Sequence, residues 1–340
     1  MRRVVIEMND VRPIWRMPAA VRDAIGDAFP EGWAITWIDE PADARGDGGG
    51  GSAQALALVA DAEIYFGFGV SDAIVAAGKE LRWVHTGTAG VRGSLSPELR
   101  ARDVILTNSA GIHAPAMAET VLAMMLHFAR GLDWAVRAQR ERRWWKEPFD
   151  ALDSPVRELA ASTVGVLGYG GIGKAVAQRS LAFGARVVAL RRSAGRGEKG
   201  VEIVRGRAGL ERLLDESDFV VIALPDTEST TGIVDAAAIA RMRKDAVLIN
   251  VARGAIVDEA ALLDVLRGGR IRAAALDVFA TEPLPFGSPL WELPNVLITP
   301  HVSAYTHRYW QRELELIRDN VEHYLNGRPL RNVVDKQAGY

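Results

Sequence analysis

Three side chains able together to handle a carbonyl and a carboxylate stand in the last third of the chain, each just beyond an apolar run. Arg253 follows AVLINV (246–251) as Ala252-Arg253-Gly254, Glu282 falls in FATEP after AAALDV (273–278), and His301 follows VLIT (296–299) as Pro300-His301. Short runs that are apolar end to end read as strands buried on both faces of a parallel sheet. In such open sheets ligands bind beyond the carboxyl ends of the strands. An arginine, a carboxylate and an imidazole are therefore predicted on one sheet edge. The planar fork of Arg253 suits a carboxylate in two hydrogen bonds. An imidazole titrates in the range needed to give a proton to a carbonyl oxygen, and Glu282 beside it would orient the ring and favour its charged form. Reduction of a 2-oxo acid needs all of these. Singly, each has an ordinary reading: a surface ion pair for Arg253, a loop charge for Glu282, a structural histidine for His301. Their coincidence on one edge points to chemistry.

The reductant is announced upstream. VGVLGYGGIGKAVA carries Gly168-x-Gly170-x-x-Gly173 between a strand and a helix. The first glycine allows a tight turn, the second lets backbone approach a pyrophosphate, and the third lets helix and strand pack closely. The loop residues Gly168, Tyr169, Gly170, Gly171, Ile172 and Gly173 are thus expected at a dinucleotide, with the helix N-terminus facing the phosphates. Gly168 to Lys174 also spells the start of a triphosphate-binding loop, but that loop needs a hydroxyl next, and the residue there is Ala175. After the strand RVVAL (186–190), where an acidic residue would hold the ribose 2′-hydroxyl of NAD, stand Arg191, Arg192 and Ser193. A guanidinium holds a 2′-phosphate that a carboxylate would repel. NADPH is therefore predicted over NADH, with NAD as the alternative cofactor and a solvated basic turn as the competing reading of the arginines.

The elements that must position these groups follow from the pattern. Strand-like runs TVGVL (163–167), RVVAL, DFVVIAL (218–224), AVLINV, AAALDV and VLIT alternate with helical stretches such as IGKAVAQRSLAF (172–183), the signature of a parallel sheet covered by helices. The first hundred residues repeat it more loosely, with strands near VVIEM (4–8), AEIYFG (62–67) and LRWVHT (81–86), and DARGDGGGGS (43–52) reads as a surface loop. Trp310, Leu314, Ile317, Val321 and Tyr324 make one apolar helical face that could pack back on the N-terminal part. The expectation is two doubly wound α/β domains of Rossmann or flavodoxin type with a cleft between them: a discontinuous substrate domain over 1–108 plus 303–340, and a dinucleotide domain over 109–302. With 41 Lys+Arg against 43 Asp+Glu, no basic excess speaks for nucleic acid or an anionic membrane. No run approaches a membrane span, and no cysteine is present, which excludes thiolate metal sites and fits a reducing compartment. A cytoplasmic protein without a metal site is expected.

Gly168–Gly173, NVARGAIVDEAAL (250–262), ALDVFATEPLP (275–285) and ITPHVSAYT (298–306), in this order, resemble the D-isomer-specific 2-hydroxyacid dehydrogenase family. The resemblance implies that Arg253, Glu282 and His301 form the catalytic set. It implies that Asp277, Leu224, Pro225, Thr230, Val251, Ala252 and Ser303 line the cofactor site, Asp277 at the nicotinamide carboxamide. It places substrate-binding amides in TAGV (88–91), at Ala89, Gly90 and Val91, although Arg92 stands where the family commonly has an acid. It also implies a homodimer formed through the nucleotide domain, consistent with Trp144 and Trp145 in RERRWWKEPF (140–149). HVSAYTHRYW (301–310) is closer in kind to members acting on general 2-oxo acids than to phosphoglycerate dehydrogenases. The alternative is a dinucleotide-sensing, corepressor-like protein on the same scaffold. Of the other histidines, His113 is expected to cap a helix and His127 to be structural. His307 is a candidate to close over substrate, and His85 and His323 have no nameable partner.

Overall fold

The computed structural model describes residues 1–41, 50–192, 195 and 197–340. Ser193, expected in the phosphate clamp, and most of DARGDGGGGS lie outside the described residues. The chain forms two compact units, Met1–His113 with Tyr305–Tyr340, and Ala114–Ala304.

The first unit holds strands β1 (Arg2–Glu7), β2 (Trp33–Trp37), β3 (Ile64–Gly67), β4 (Trp83–Thr86) and β5 (Ile105–Asn108). They form one sheet in the order β2-β1-β3-β4-β5, every pairing parallel. Alternation along the strands divides the core: Val5, Tyr65, Val84 and Leu106 pack on one face, and Val4, Ile6, Ile64, Phe66 and Trp83 on the other. The terminal helix Tyr309–Leu325 closes the second face with Trp310, Leu316, Ile317 and Val321, all buried. Beyond that helix the chain lies along β5, where Thr107 and Val333 form an antiparallel bridge.

The second unit holds β6 (Thr163–Leu167), β7 (Arg186–Leu190), β8 (Val201–Val204), β9 (Phe219–Ile222), β10 (Val247–Asn250), β11 (Ala273–Leu276) and β12 (Val296–Ile298). The order is β12-β11-β10-β9-β6-β7-β8, again all parallel. Both sheets are doubly wound, and the strand order of the second reverses between β6 and β9, the place such folds use for dinucleotides. One strand has no counterpart among the apolar runs. β8, VEIV, is an edge strand with one buried residue, so it lacks the apolar signature of a central strand.

The glycine loop sits at that switch point, and its glycines are required for different reasons. Gly168 has φ +100, and a Cβ on it would lie 2.6 Å from the Ala223 carbonyl oxygen at the end of β9. A Cβ on Gly173 would lie 1.9 Å from the Gly168 oxygen, so the helix Gly171–Ala182 meets the strand only without one.

Candidate active site

The turn that carries the imidazole is held by a buried aspartate one strand away. Asp277 follows β11 directly and is fully buried. Its Oδ1 accepts from Thr299 Oγ1 at 2.5 Å and from the Val302 N–H at 2.9 Å, and its Oδ2 from the Ser303 N–H at 3.0 Å. Its carbonyl oxygen accepts from the His301 N–H at 2.9 Å. Four hydrogen bonds thus pin the turn after β12, and within it His301 adopts φ 55, a left-handed conformation of order 1 kcal/mol unfavourable for such a residue. The resulting ring orientation brings His301 Nδ1 to 2.7 Å from Glu282 Oε2, while Glu282 Oε1 accepts from the Phe279 N–H at 3.0 Å. Burial pushes the Glu282 carboxyl up. The hydrogen bonds from His301 and Phe279 and the charges of His301 and Arg253 outweigh burial and leave it below its ordinary value. An ionised Glu282 accepts from Nδ1–H, which fixes the tautomer and leaves Nε2 without a partner among the described residues.

Arg253 enters from the neighbouring strand. It follows β10 and caps the short turn Gly254–Ile256. Gly254 is there because backbone must pass: a Cβ on it would lie 2.0 Å from the Phe279 carbonyl carbon. That approach ties the Arg253 segment to the segment leading to Glu282. Asn250 fixes both sides of the turn, donating from Nδ2 to the Arg253 oxygen at 3.0 Å and accepting from the Ala252 N–H at 3.0 Å. Arg253 Nη1 donates to the Ala252 oxygen at 2.6 Å. Arg253, Glu282 and His301 therefore stand on the carboxyl edge of one sheet, after β10, β11 and β12 respectively.

The residues expected at a dinucleotide stand on the same edge. A Cβ on Gly170 would meet nothing within 4 Å; this is open space in front of a helix N-terminus, which a phosphate group fits. Tyr169 is buried and its hydroxyl accepts from the Glu198 N–H at 3.3 Å; Ile172 is half-buried. Leu224 and Pro225 follow β9, and Thr230 Oγ1 closes their turn on the Pro225 oxygen at 2.6 Å. Val251 and Ala252 are buried after β10, and Ser303 is buried in the His301 turn. Arg191, half-buried, and Arg192, exposed, follow β7. A third guanidinium joins them: the Arg191 N–H donates to the Val204 oxygen at 3.1 Å, and Arg205 follows β8 at that point, with Nη2 2.8 Å from the Gly195 oxygen. Sequence reasoning missed Arg205 because it missed β8; a basic residue closing VEIV was the available signal. Among the described residues no cluster of three or more potential metal ligands occurs.

In the first unit, the loop after β4 is polarised. Its carbonyls all accept hydrogen bonds: Thr86 from Ser109 Oγ at 3.0 Å, Gly87 from the Tyr309 hydroxyl at 2.8 Å, Thr88 from the Ser109 N–H at 3.1 Å, Ala89 from Asn108 Nδ2 at 2.8 Å, Gly90 from Thr88 Oγ1 at 2.8 Å and Val91 from the Ser94 N–H at 2.9 Å. The N–H groups of Ala89, Gly90 and Val91 have no acceptor among the described residues. Three successive N–H groups of this loop are thus without an acceptor among the described residues, while the carbonyls around them are engaged.

The remaining histidines are placed as follows. His85, without a nameable partner in the sequence, is fully buried with Nε2 2.7 Å from Glu313 Oε1 and Nδ1 2.9 Å from Thr107 Oγ1. His323 Nδ1 lies 2.6 Å from the Pro329 oxygen. His113 stacks on Tyr309 at 5.5 Å, and half-buried His127 lies edge-on to Phe128. His307 is exposed and precedes the terminal helix. Trp144 is 89% exposed, whereas Trp145 lies between the Arg137 and Arg143 guanidinium groups.

Comparison with known proteins places this geometry. The family model for the D-isomer specific 2-hydroxyacid dehydrogenase, NAD binding domain, matches residues 122–303, more than half of the chain. The chain belongs to that family. Its fold is that of a D-isomer specific 2-hydroxyacid dehydrogenase from Xanthobacter autotrophicus solved with NADPH and MES, at TM-score 0.82 and 32% identity over 100% of this chain and 99% of the other. An NADPH-dependent glyoxylate/hydroxypyruvate reductase from Sinorhizobium meliloti, solved with NADP and sulfate, matches at TM-score 0.79 and 29% identity over the whole of both chains. The D-3-phosphoglycerate dehydrogenase of Mycobacterium tuberculosis is 36% identical over 273 residues, covering 79% of this chain and 50% of that protein. The chain thus spans about half the length of the curated phosphoglycerate dehydrogenases it matches. Membership explains the order of motifs along the second unit: each family segment occupies the carboxyl end of a strand. Among the described residues no helix is long and apolar enough to cross a membrane.

Proposed function

We propose that this 2-hydroxyacid dehydrogenase family member reduces small 2-oxo acids to D-2-hydroxy acids with NADPH, the Ala114–Ala304 unit holding the dinucleotide and the other unit the substrate carboxylate. The observation that carries the reading is the His301–Glu282 pair at 2.7 Å on the edge that also carries Arg253. When bound, the reduced nicotinamide supplies the hydride. The chain's own residues do the rest. Arg253 binds the substrate's carboxylate and carbonyl and draws charge toward the oxygen. His301, oriented by ionised Glu282 at Nδ1, gives its Nε2 proton to that oxygen, and Glu282 holds the ring in its orientation. Asp277 keeps the turn in place and, through the resemblance, is assigned the nicotinamide carboxamide. The amides of Ala89, Gly90 and Val91 are assigned the substrate carboxylate, on the polarity of their loop.

Arg191, Arg192 and Arg205 are assigned the 2′-phosphate, a reading supported by the two NADPH- or NADP-bound relatives; Ser193 completes the expected set but lies outside the described residues. We further assign a cytoplasmic homodimer formed through the nucleotide-binding unit. Trp144 and Leu152, fully or nearly fully exposed on that unit, are apolar groups that a lone soluble protein seldom leaves in water.

Following absorbance at 340 nm with NADPH and glyoxylate, hydroxypyruvate, pyruvate or longer 2-oxo acids tests the reaction, and no turnover on any of them overturns it. Equal kcat/KM for NADPH and NADH overturns the phosphate clamp.

A further inference from the structure

We propose that three asparagines, Asn320, Asn332 and Asn108, form a relay through which the C-terminal tail sets the shape of the anion-binding loop at 88–91. The inference rests on the reading of that loop as the substrate-carboxylate site.

The relay begins in the terminal helix. Asn320 is fully buried and holds both backbone groups of Arg331, donating from Nδ2 to its oxygen at 3.1 Å and accepting its N–H at 2.7 Å. That fixes the next residue, Asn332, in a left-handed conformation with φ 55, which asparagine tolerates better than most side chains. From there Asn332 Nδ2 donates to the Asn108 oxygen at 3.0 Å and to the Ala110 oxygen at 2.8 Å, while its own carbonyl accepts the Asn108 N–H at 3.2 Å. The Val334 N–H adds a bond to the Leu106 oxygen at 2.8 Å. The tail therefore clamps Asn108 at the end of β5 by its backbone, leaving the side chain for the loop.

Asn108 has one arrangement open to it. Its Oδ1 accepts the Ala110 N–H at 3.2 Å and its Nδ2 donates to the Ala89 oxygen at 2.8 Å. A flipped amide would set donor against donor and oxygen against oxygen. Asn108 is nearly buried, so water cannot easily replace either bond, and an unmade bond there is costly. Drawing the Ala89 carbonyl inward is what turns the adjoining Gly90 N–H outward, because the two belong to one planar peptide. Asn108 is thus a positioning residue: it touches no substrate and orients a group that does. Asn332 and Asn320 position Asn108 in turn.

The full-length protein with Asn108→Ala, and separately with Asn332→Gly, tests the relay. The glycine keeps the left-handed backbone and removes only the side-chain bonds. Two readouts are taken: calorimetric Kd for oxamate, an unreactive 2-oxo acid analogue, and the KM and kcat for glyoxylate with NADPH. Asn108→Ala is expected to weaken oxamate about ten-fold, equivalent to about 1.4 kcal/mol, and to raise the glyoxylate KM similarly. The kcat and the KM for NADPH should stay within about two-fold, and Asn332→Gly should give a smaller shift, about three-fold, in the same two quantities. Unchanged oxamate binding in Asn108→Ala overturns the relay, as does an equal loss in KM for both substrates with a collapse in Tm, the mark of a merely structural role. If the wild type binds oxamate in an Asn108-dependent way but turns over no 2-oxo acid, the relay stands and the proposed reaction falls. If it reduces glyoxylate with an Asn108-independent KM, the reaction stands and the relay falls. Wild-type protein that neither binds oxamate nor turns over any 2-oxo acid overturns both.

Discussion

A methyl group added at Gly170 separates cofactor binding from folding. In the protein itself the group has room: a Cβ there meets nothing within 4 Å, and the backbone at φ −88, ψ −158 is extended and open to any residue. Two small terms oppose each other on the folding side. Removing a glycine stiffens the unfolded chain, worth roughly 0.4–1 kcal/mol in favour of the native state. Replacing glycine by alanine at the cap of the helix Gly171–Ala182 costs a comparable few tenths to about 1 kcal/mol. The net is within about 1 kcal/mol, a Tm shift of roughly 2–4 °C or less. On the ligand side nothing compensates. If the pyrophosphate meets the helix N-terminus at this glycine, the methyl takes up the contact distance, and overpacking of that kind costs about 1–3 kcal/mol. NADPH affinity should fall about 5- to 150-fold, read by calorimetric titration alongside thermal denaturation. Gly173→Ala is the control with the opposite outcome: its Cβ would lie 1.9 Å from a carbonyl oxygen, so the variant should lose the fold. A Gly170→Ala protein that binds NADPH within two-fold of wild type, or that melts like a core lesion, would falsify the placement.

His301→Ala should lower kcat by about 10²–10⁴ while leaving the NADPH Kd unchanged; a parallel loss of cofactor binding would contradict its assignment to proton transfer. Glu282→Gln should lower kcat/KM at neutral pH by about 10–100-fold, as loss of an orienting partner does. Because Glu282 sits below its ordinary value of 4.5, its contribution is complete above that pH and lost only as pH falls through the lower folded value; a wild-type pH–rate profile that loses the Glu282-dependent rate well above 4.5 would count against the pair. Asp277→Ala removes three hydrogen bonds, accepted by two carboxylate oxygens, from the buried His301 turn and should destabilise by about 3 kcal/mol or more, measured as a Tm drop accompanied by loss of kcat. Arg205→Ala should narrow the preference for NADPH over NADH without changing the KM for the oxo acid, and an unchanged ratio removes Arg205 from the clamp.

What the sequence made legible was what local chemistry determines. TVGVL and RVVAL coincide with β6 and β7 because strands buried on both faces must be apolar throughout. Arg253, Glu282 and His301 could be placed on one edge because each follows such a strand, and the last two, in contact at 2.7 Å, are only 19 positions apart in the chain. β8 was illegible for the converse reason: an edge strand can carry Glu202, paired with Arg186 and Arg212, and still form. Partners far apart in the chain left no trace either. Nothing near His85 announces Glu313, 228 residues on, and nothing near Asn108 announces Asn332. Asp277 was read only as a cofactor contact, and its grip on the His301 turn depends on backbone amides that no side-chain pattern reports.

The return of Tyr305–Tyr340 to the first unit has a consequence for synthesis on the ribosome. Residues 114–304 are contiguous and can finish folding as they emerge, whereas the sheet begun by Arg2 waits for almost the whole chain. Until Val333 is made, β5 carries the kind of open edge that invites foreign pairing. The first unit begins before the second and is completed after it.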